Sequence, residues 1–383
     1  MSFRDDRIHK GKAASEENSE RIAPLHLVLL EEPEAHLHVQ VQQVLIKKAY
    51  EILTDDDILR DNHFKTQLVV STHSSHIAKE VPFRGIRYFK RGYPTEQMLI
   101  STSEVVNLTD TFGTDEKTEK FVQRYLRVTH CDMFFADAVV FVEGTSETVL
   151  VPYFIKNDYP GLDSRYITIL PIGGSHSHKF KPLIEKLEIA TLIITDLDSV
   201  VKTIKVDKNG VERTTYPHAF PKRKVGQISG NSSIIDWGIL KNDIDYLLDL
   251  NSNDKILYNS LLRVSYQTPI NITFNNLTSE ALSATFEDSL IYENLTAVQG
   301  LTSTGLIRTV KTAAQKTTID EFCLNVYNAI HRDSSGKVSL ALELIYELEK
   351  VEAPHYIKEG LEWLQEKLRR AEIGIAKEAS DDA

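Results

Sequence analysis

Short, almost uninterrupted apolar runs alternate along this chain with segments of helical period, and that alternation limits the fold more than any other feature. LHLVLL at 25–30, QLVVS at 67–71, AVVFV at 138–142, YITIL at 166–170 and ATLIIT at 190–195 are too short for buried helices and too continuous for half-exposed strands. Between the first two, Val41, Val44, Leu45, Lys48 and Ile52 recur in helical step over 37–53, and helices are predicted again over 147–156 and 178–187. Strand, helix, strand in that order predicts parallel sheets with crossover helices, so the fold class is α/β. The pattern restarts at 138, which predicts a second α/β unit.

The boundaries that follow are a polar tail at 1–23, a first lobe at 24–112, a connecting helix at 113–136, a second parallel-sheet domain at 137–345 and a carboxyl-terminal helix with an acidic, fraying tail at 346–383. A hairpin is predicted from 85–90 and 97–101, and a polar insertion interrupts the second domain at 200–231. A length of 383 residues has room for two or three domains, and 42% hydrophobic with 26% charged residues excludes disordered and low-complexity classes. Cys131 and Cys323 alone exclude a disulfide framework or a four-cysteine zinc site. With no apolar run near the roughly 18 residues of a membrane span and no signal-peptide core in the opening, the expectation is a cytoplasmic protein without a membrane partner. The net charge of −11 argues against a surface coated with positive charge, so a nucleic-acid partner must find its basic surface locally.

LVLLEEPEAHLH at 27–38 delivers Glu31 and Glu32 at the end of a strand, where open α/β sheets bind ligands. Such a pair suits a metal–water shell and activation of water against a phosphate. VVSTHSSH places His73 at the end of the next strand, within reach of a terminal phosphate. These residues resemble the Walker B strand, D-loop and switch histidine of ABC-type ATPases, although Glu31 stands where that pattern usually has Asp. No G-x-x-x-x-G-K-[ST] phosphate loop is present: Asp6 and His331 occupy the positions where the two Gly-Lys pairs would need a glycine. The lobe is therefore expected to be an ATP-site remnant, with ATP bound only in a complete ATPase context.

VEGTSE ends another strand with Glu143 and Gly144 and puts Glu147 one helical turn on, and IITDLDS ends the next with Asp196 and Asp198. Four carboxylates at neighbouring strand ends repel one another unless a cation sits among them, and hard oxygen ligands select Mg²⁺, Mn²⁺ or Ca²⁺ over zinc. This stretch resembles the TOPRIM fold of topoisomerases, primases and certain nucleases, in which the matching residues are metal ligands or act as acid and base.

An ATPase lobe followed by TOPRIM is similar to the OLD (overcoming lysogenization defect) family of nucleases, some of which defend against phage; the matching stretches run from about 25 to 345. The resemblance implies a metal-dependent DNA endonuclease that hydrolyses phosphodiesters with two divalent ions about 4 Å apart. Mg²⁺ or Mn²⁺ would support turnover and Ca²⁺ would occupy the site without it. Glu143, Asp196, Asp198 and Lys337 are the implied catalytic residues. Glu143, Glu147, Asp196, Asp198, Ser199 and Glu287 are the implied metal set, with Glu287 taken from TFEDSL and Lys337 from SSGKVSLAL. The family also implies a homodimer through the ATPase lobe or the carboxyl-terminal helices, and a helicase partner. Two alternatives stay open: an assembly module with a degenerate nuclease site, or another TOPRIM enzyme such as a primase or topoisomerase fragment.

A local basic surface does exist. Lys202, Lys205, Lys208, Arg213, Lys222, Arg223 and Lys224 face only Asp207 and Glu212 over 202–224, a balance of +5 that begins four residues after Asp198. A flexible basic loop leaving the metal site is placed to neutralise DNA phosphates.

Overall fold

The computed structural model describes residues 25–54, 65–92, 100, 102–206, 212–274, 276–301, 305–315, 318–332 and 336–381. The 1–23 tail, Lys208 and most of the 97–101 strand expected from sequence lie outside the described residues. The chain forms two compact units, one of Met1–Tyr88 with Asn107–Phe135 and one of Phe89–Val106 with Ala136–Ala383.

In the first unit, β1 (Leu25–Glu31) and β2 (Lys65–Ser71) pair in parallel from Leu25 opposite Lys65 to Glu31 opposite Ser71. The helix Val39–Thr54 makes the crossover. Alternate β1 residues Leu25, Leu27 and Leu29 remain exposed, as do Val41, Val44 and Ile52 on the helix, so the helical period does not bury its apolar positions here. Two strands and one helix present more apolar surface than they cover. β3 (Arg87–Gly92) pairs with β4 (Thr102–Asn107), and most of these two strands belongs to the second unit. The predicted connecting helix spans Glu116–Tyr125, its first turn held by Asp115, which accepts from the Thr118 N–H at 3.0 Å. It continues through a π turn, Leu126–His130, and a 3₁₀ turn, Cys131–Phe135.

The second unit is built on β5 (Ala138–Val142), β6 (Ile167–Pro171) and β7 (Ala190–Ile194). Short strands follow: β8 (Ser199–Val200), β9 (Thr203–Val206), β10 (Glu212–Thr215), β11 (Ile228–Ser229) and β12 (Ile256–Leu257). β13 (Leu262–Ser265) then returns to the main sheet, whose order is β12-β13-β7-β5-β6. All neighbours run parallel except β12, which caps the edge antiparallel. β5 and β7 are buried at every position, as their uniform apolar composition requires of central strands in a sheet covered on both faces.

Phe141 pairs with Ile193, and Ile194 with Ser265, so the residues following β5, β7 and β13 leave the sheet side by side. The helix Thr145–Asp158 follows β5. The helix predicted over 178–187 begins only at Lys181: Gly174–Phe180 forms 3₁₀ turns capped by Gly173, and Pro182 sits in the first turn of the helix that follows. A hairpin of β14 (Ile270–Phe274) and β15 (Leu277–Ala281) leads to the helix Phe286–Glu293, then to Gly305–Ala313, Ile319–Arg332 and Gly336–Glu347. The last helix, His355–Asp381, extends into the acidic ending for which the sequence predicts fraying; its Ala, Glu and Lys are strong helix formers.

That last helix lies against β7 and β13, and Gly360 sets how closely: a Cβ there would stand 2.7 Å from Ser265 Oγ and 2.9 Å from Leu192 Cδ1. Overpacking of this kind costs about 1–3 kcal/mol. Urea unfolding of Gly360→Val should show a lower midpoint with an unchanged slope, and an unaltered midpoint would refute the close approach.

Candidate metal centre

The carboxyl end of β5 supplies Glu143, half-buried beside Thr195. Its Oε1 accepts from Thr195 Oγ1 in a short hydrogen bond and from Asn231 Nδ2 at 2.6 Å. Gly144 then starts the helix Thr145–Asp158, which turns Glu147 back over the strand end. The space a Gly144 Cβ would take is filled by the Glu147 carboxylate, so a larger residue at 144 would push that carboxylate from its present place. Glu147 is 3% exposed and its Oε2 is buried without a hydrogen-bond partner.

β7 delivers Thr195 and Asp196. Gln267, fully buried just beyond β13, donates from Nε2 to Asp196 Oδ1 at 2.8 Å and accepts from the Leu197 N–H at 2.6 Å. Asp198 sits at φ 45°, a left-handed conformation that Asp tolerates better than most residues. Its backbone is pinned on both sides, N–H to the Ala284 carbonyl at 3.1 Å and carbonyl from the Gly230 N–H at 2.8 Å. Ser199, in β8, is buried and its Oγ has no partner.

Glu287 comes from far along the chain. It lies in the first turn of Phe286–Glu293, whose start is held by Asp288 accepting from the Thr285 N–H at 2.9 Å. Glu287 is 3% exposed, accepts from Ser146 Oγ at 3.1 Å and pairs with Lys337 Nζ at 2.9 Å. Lys337 opens the helix Gly336–Glu347. Residues 143–147, 196–199, 287 and 337 thus meet in one electrostatic neighbourhood.

Burial and mutual repulsion favour protons on these acids. Desolvation, then Glu287, pushes Glu147 from its ordinary 4.5 to about 8. Burial and the charges of Glu143, Glu147, Asp198 and Glu287 hold Asp196 well above the usual carboxylate range. Burial also raises Glu143, and Asp198 beside it adds to the rise, against hydrogen bonds from Thr195, Asn231 and the Asp196 backbone. Asp198 is raised by burial, against the pull of His218, Lys337 and His331. Burial works against the Lys337 ammonium, but Glu287, Asp196 and Glu147 outweigh it and raise its pKa.

Among the described residues, no three acid, imidazole or thiol groups close around one point as a finished cage. The donors are nevertheless all oxygen, several are orphaned in buried space, and the acids are crowded enough to hold protons in place of a cation. That set fits a hard divalent ion that keeps some of its water and expects ligands from a substrate. Thr195, Asn231 and Gln267 were not among the residues singled out from sequence, because neutral amides and hydroxyls leave no spacing signature.

The basic insertion is less of a free loop than its composition predicts. β9 and β10 form an antiparallel hairpin with Lys205 opposite Arg213. Lys202, Lys205, Arg213, Lys222 and Lys224 are exposed. Arg223 is tied to Asp249 at 2.7 Å and Glu280 at 2.8 Å, and the Lys224 N–H donates to Asp245 at 2.9 Å. In the first unit, Glu31 and Glu32 are exposed at the end of β1, and His73 Nε2 lies 3.4 Å from Glu32 Oε1. Glu34 holds the strand-end loop, accepting from Thr72 Oγ1 at 2.8 Å and the His73 N–H at 2.6 Å.

A proton on Glu147 links stability to pH. Its folded-state value is raised, so its contribution to stability is full below about 4.5 and is lost as pH rises through about 8. Metal-free Glu147→Gln should match wild type in melting temperature near pH 5 and exceed it near pH 8.5 by several degrees, at roughly 2–4 °C per kcal/mol. Identical pH profiles would show that Glu147 is not crowded.

A model of the overcoming lysogenization defect protein-like TOPRIM domain matches residues 134–198, and a model of the AAA ATPase domain matches residues 7–78. The chain is 28% identical over 370 residues to endonuclease GajA of Bacillus cereus (strain HuB5-5), covering 91% of this chain and 50% of that protein. It is 26% identical over 172 residues to endonuclease GajA of Bacillus cereus (strain VD045), covering 45% of this chain and 26% of that protein. The chain therefore spans about half or less of the length of these relatives. Among solved structures it is similar to the C-terminal region of the Burkholderia pseudomallei OLD protein, at 18% identity and a TM-score of 0.35 over 61% of this chain and 99% of that one. The C-terminal region of the Xanthomonas campestris pv. campestris OLD protein matches at 18% identity and a TM-score of 0.33, over 62% and 96%. No described helix is long and apolar enough to cross a membrane. The chain thus joins a segment that matches an AAA ATPase domain to one that matches an OLD-like TOPRIM domain, and over most of its length it is similar to endonuclease GajA.

Proposed function

We propose that this chain is a divalent-metal-dependent endodeoxyribonuclease that hydrolyses DNA phosphodiesters at the centre built from Glu143, Glu147, Asp196, Asp198, Ser199 and Glu287. The observation that carries the reading is the meeting of these acids with Lys337 at one end of a parallel sheet, from segments as far apart as 143 and 337. Mg²⁺ or Mn²⁺, two ions in the active state, would supply Lewis-acid stabilisation of the phosphate and its leaving oxygen. Ca²⁺ would fill the site without turnover. Glu143, Glu147, Asp196 and Asp198 present the anionic oxygens, Ser199 a hydroxyl, and Glu287 a carboxylate already oriented by Ser146 and Lys337. Lys337 adds a fixed positive charge against the phosphate as negative charge develops on it.

DNA approaches along the insertion. Lys205 and Arg213 stand opposite one another across the hairpin and place two cationic side chains on one surface for DNA phosphates. Lys202, Lys222 and Lys224 extend that surface, while Arg223, engaged by two carboxylates, fixes the turn beneath it. Glu31, Glu32 and His73 belong to an ATP site that works only in a complete ATPase context. A homodimer through the ATPase lobe or the carboxyl-terminal helices, a helicase partner, a cytoplasmic setting and a role in phage defence are parts of the same reading.

Incubation of supercoiled plasmid with the purified chain and Mn²⁺ or Mg²⁺ should yield nicked and linear DNA without ATP, and Asp196→Ala should lower the rate by at least about 10²-fold. Plasmid left intact under every divalent condition would refute the reading, and relaxed, resealed circles would point to a topoisomerase. In fluorescence anisotropy with duplex DNA and Ca²⁺, Lys205→Glu with Arg213→Glu should weaken binding and reduce the salt slope by about 1–2. An unchanged slope would place DNA elsewhere.

A further inference from the structure

Two neutral amides sit behind the acids, and their arrangement bears on which cation the centre accepts. Asn231 is 6% exposed, and its Oδ1 accepts from the Ser233 N–H at 3.0 Å, capping the helix Ser232–Trp237. That contact fixes the amide orientation, so Nδ2 faces Glu143 Oε1 at 2.6 Å, Thr195 Oγ1 at 3.0 Å and the Asp196 carbonyl at 2.8 Å. Gln267 is fixed in the same manner: its Oε1 takes the Leu197 N–H at 2.6 Å, so Nε2 must face Asp196 Oδ1 at 2.8 Å and the Tyr356 hydroxyl at 3.2 Å.

One oxygen of each acid is thereby held in a fixed hydrogen bond. Glu143 Oε1 already receives two side-chain donors, and Asp196 Oδ1 receives one that cannot turn away. We infer that Asn231 and Gln267 are positioning residues that leave Glu143 and Asp196 one oxygen each for a cation, and that they thereby favour a small octahedral ion over Ca²⁺. Ca²⁺ accepts six to eight oxygens and readily grips a carboxylate through both, whereas Mg²⁺ demands near-ideal octahedral geometry from single oxygens. A neutral amide orients the carboxylate without the charge that would make a lysine compete with the ion. The inference rests on the metal reading above and adds to it the residues that select the ion.

Isothermal titration of Mn²⁺ and, separately, Ca²⁺ into the full chain tests this with Asn231→Ser, which keeps a capping oxygen, and Gln267→Met, which keeps the side-chain length. Wild type should bind Mn²⁺ more tightly than Ca²⁺. Each variant should lose about 10–100-fold in Mn²⁺ affinity while Ca²⁺ affinity falls by less than about threefold, so the preference collapses. Circular dichroism checks the fold, and if Asn231→Ser does not fold, Gln267→Met, which has no capping role, decides alone. Folded variants that keep the wild-type Mn²⁺ affinity, or lose both ions equally, overturn the inference while leaving the metal reading intact. A wild-type chain that takes up neither ion overturns both.

Discussion

Carboxylates crowded into the dry end of a sheet are unstable company, and much of the second unit is arranged around that fact. Glu147 and Glu287 are almost wholly buried, and Asp196 feels the charge of four other acids. A group of this kind must take up protons, pair with cations or recruit a metal. Among the described residues Lys337 supplies the second remedy on Glu287, and the acids that no cation reaches are left to the other two.

The sheet makes that crowding possible. Because β5 and β7 are adjacent and parallel, acids separated by about 50 residues emerge at neighbouring ends, and β13 brings Gln267 to the same edge. The insertion between β7 and β13 then folds back so that Gly230 and Asn231 touch Asp198, Asp196 and Glu143. The basic surface and the acidic centre thus share a root of two residues. A chain of net charge −11 nevertheless carries a local excess of positive charge along the stretch that connects Asp198 to Asn231.

How much of this is legible in sequence follows from the range of the interactions. Glu143, Asp196 and Asp198 are legible because each closes an apolar run, and strand ends are where such sheets place ligands. Glu287 and Lys337 carry only short signals, and tertiary folding puts them 2.9 Å apart, the Lys337 helix lying against Thr145–Asp158 rather than against the Glu287 helix. Asn231 and Gln267 lie 88 and 71 residues from the acids they hold, in stretches with no period, so only the folded chain brings them into view. In the first unit Glu34 holds the His73 loop through contacts about 39 residues away along the chain, which no local spacing signals. Arg223 shows the opposite limit: a lysine- and arginine-rich stretch reads as uniformly available, whereas Asp249 and Glu280 bind this one member.

A divalent-ion site at these acids, as proposed, is open to direct observation. Crystals of the chain grown with Mn²⁺, measured near the manganese absorption edge, test it directly. Anomalous peaks bounded by Glu143, Asp196 and Asp198, with Glu147 or Glu287 in contact, are the expected result. Mn²⁺ located only elsewhere, with these carboxylates keeping their present hydrogen bonds and no peak among them, would contradict it.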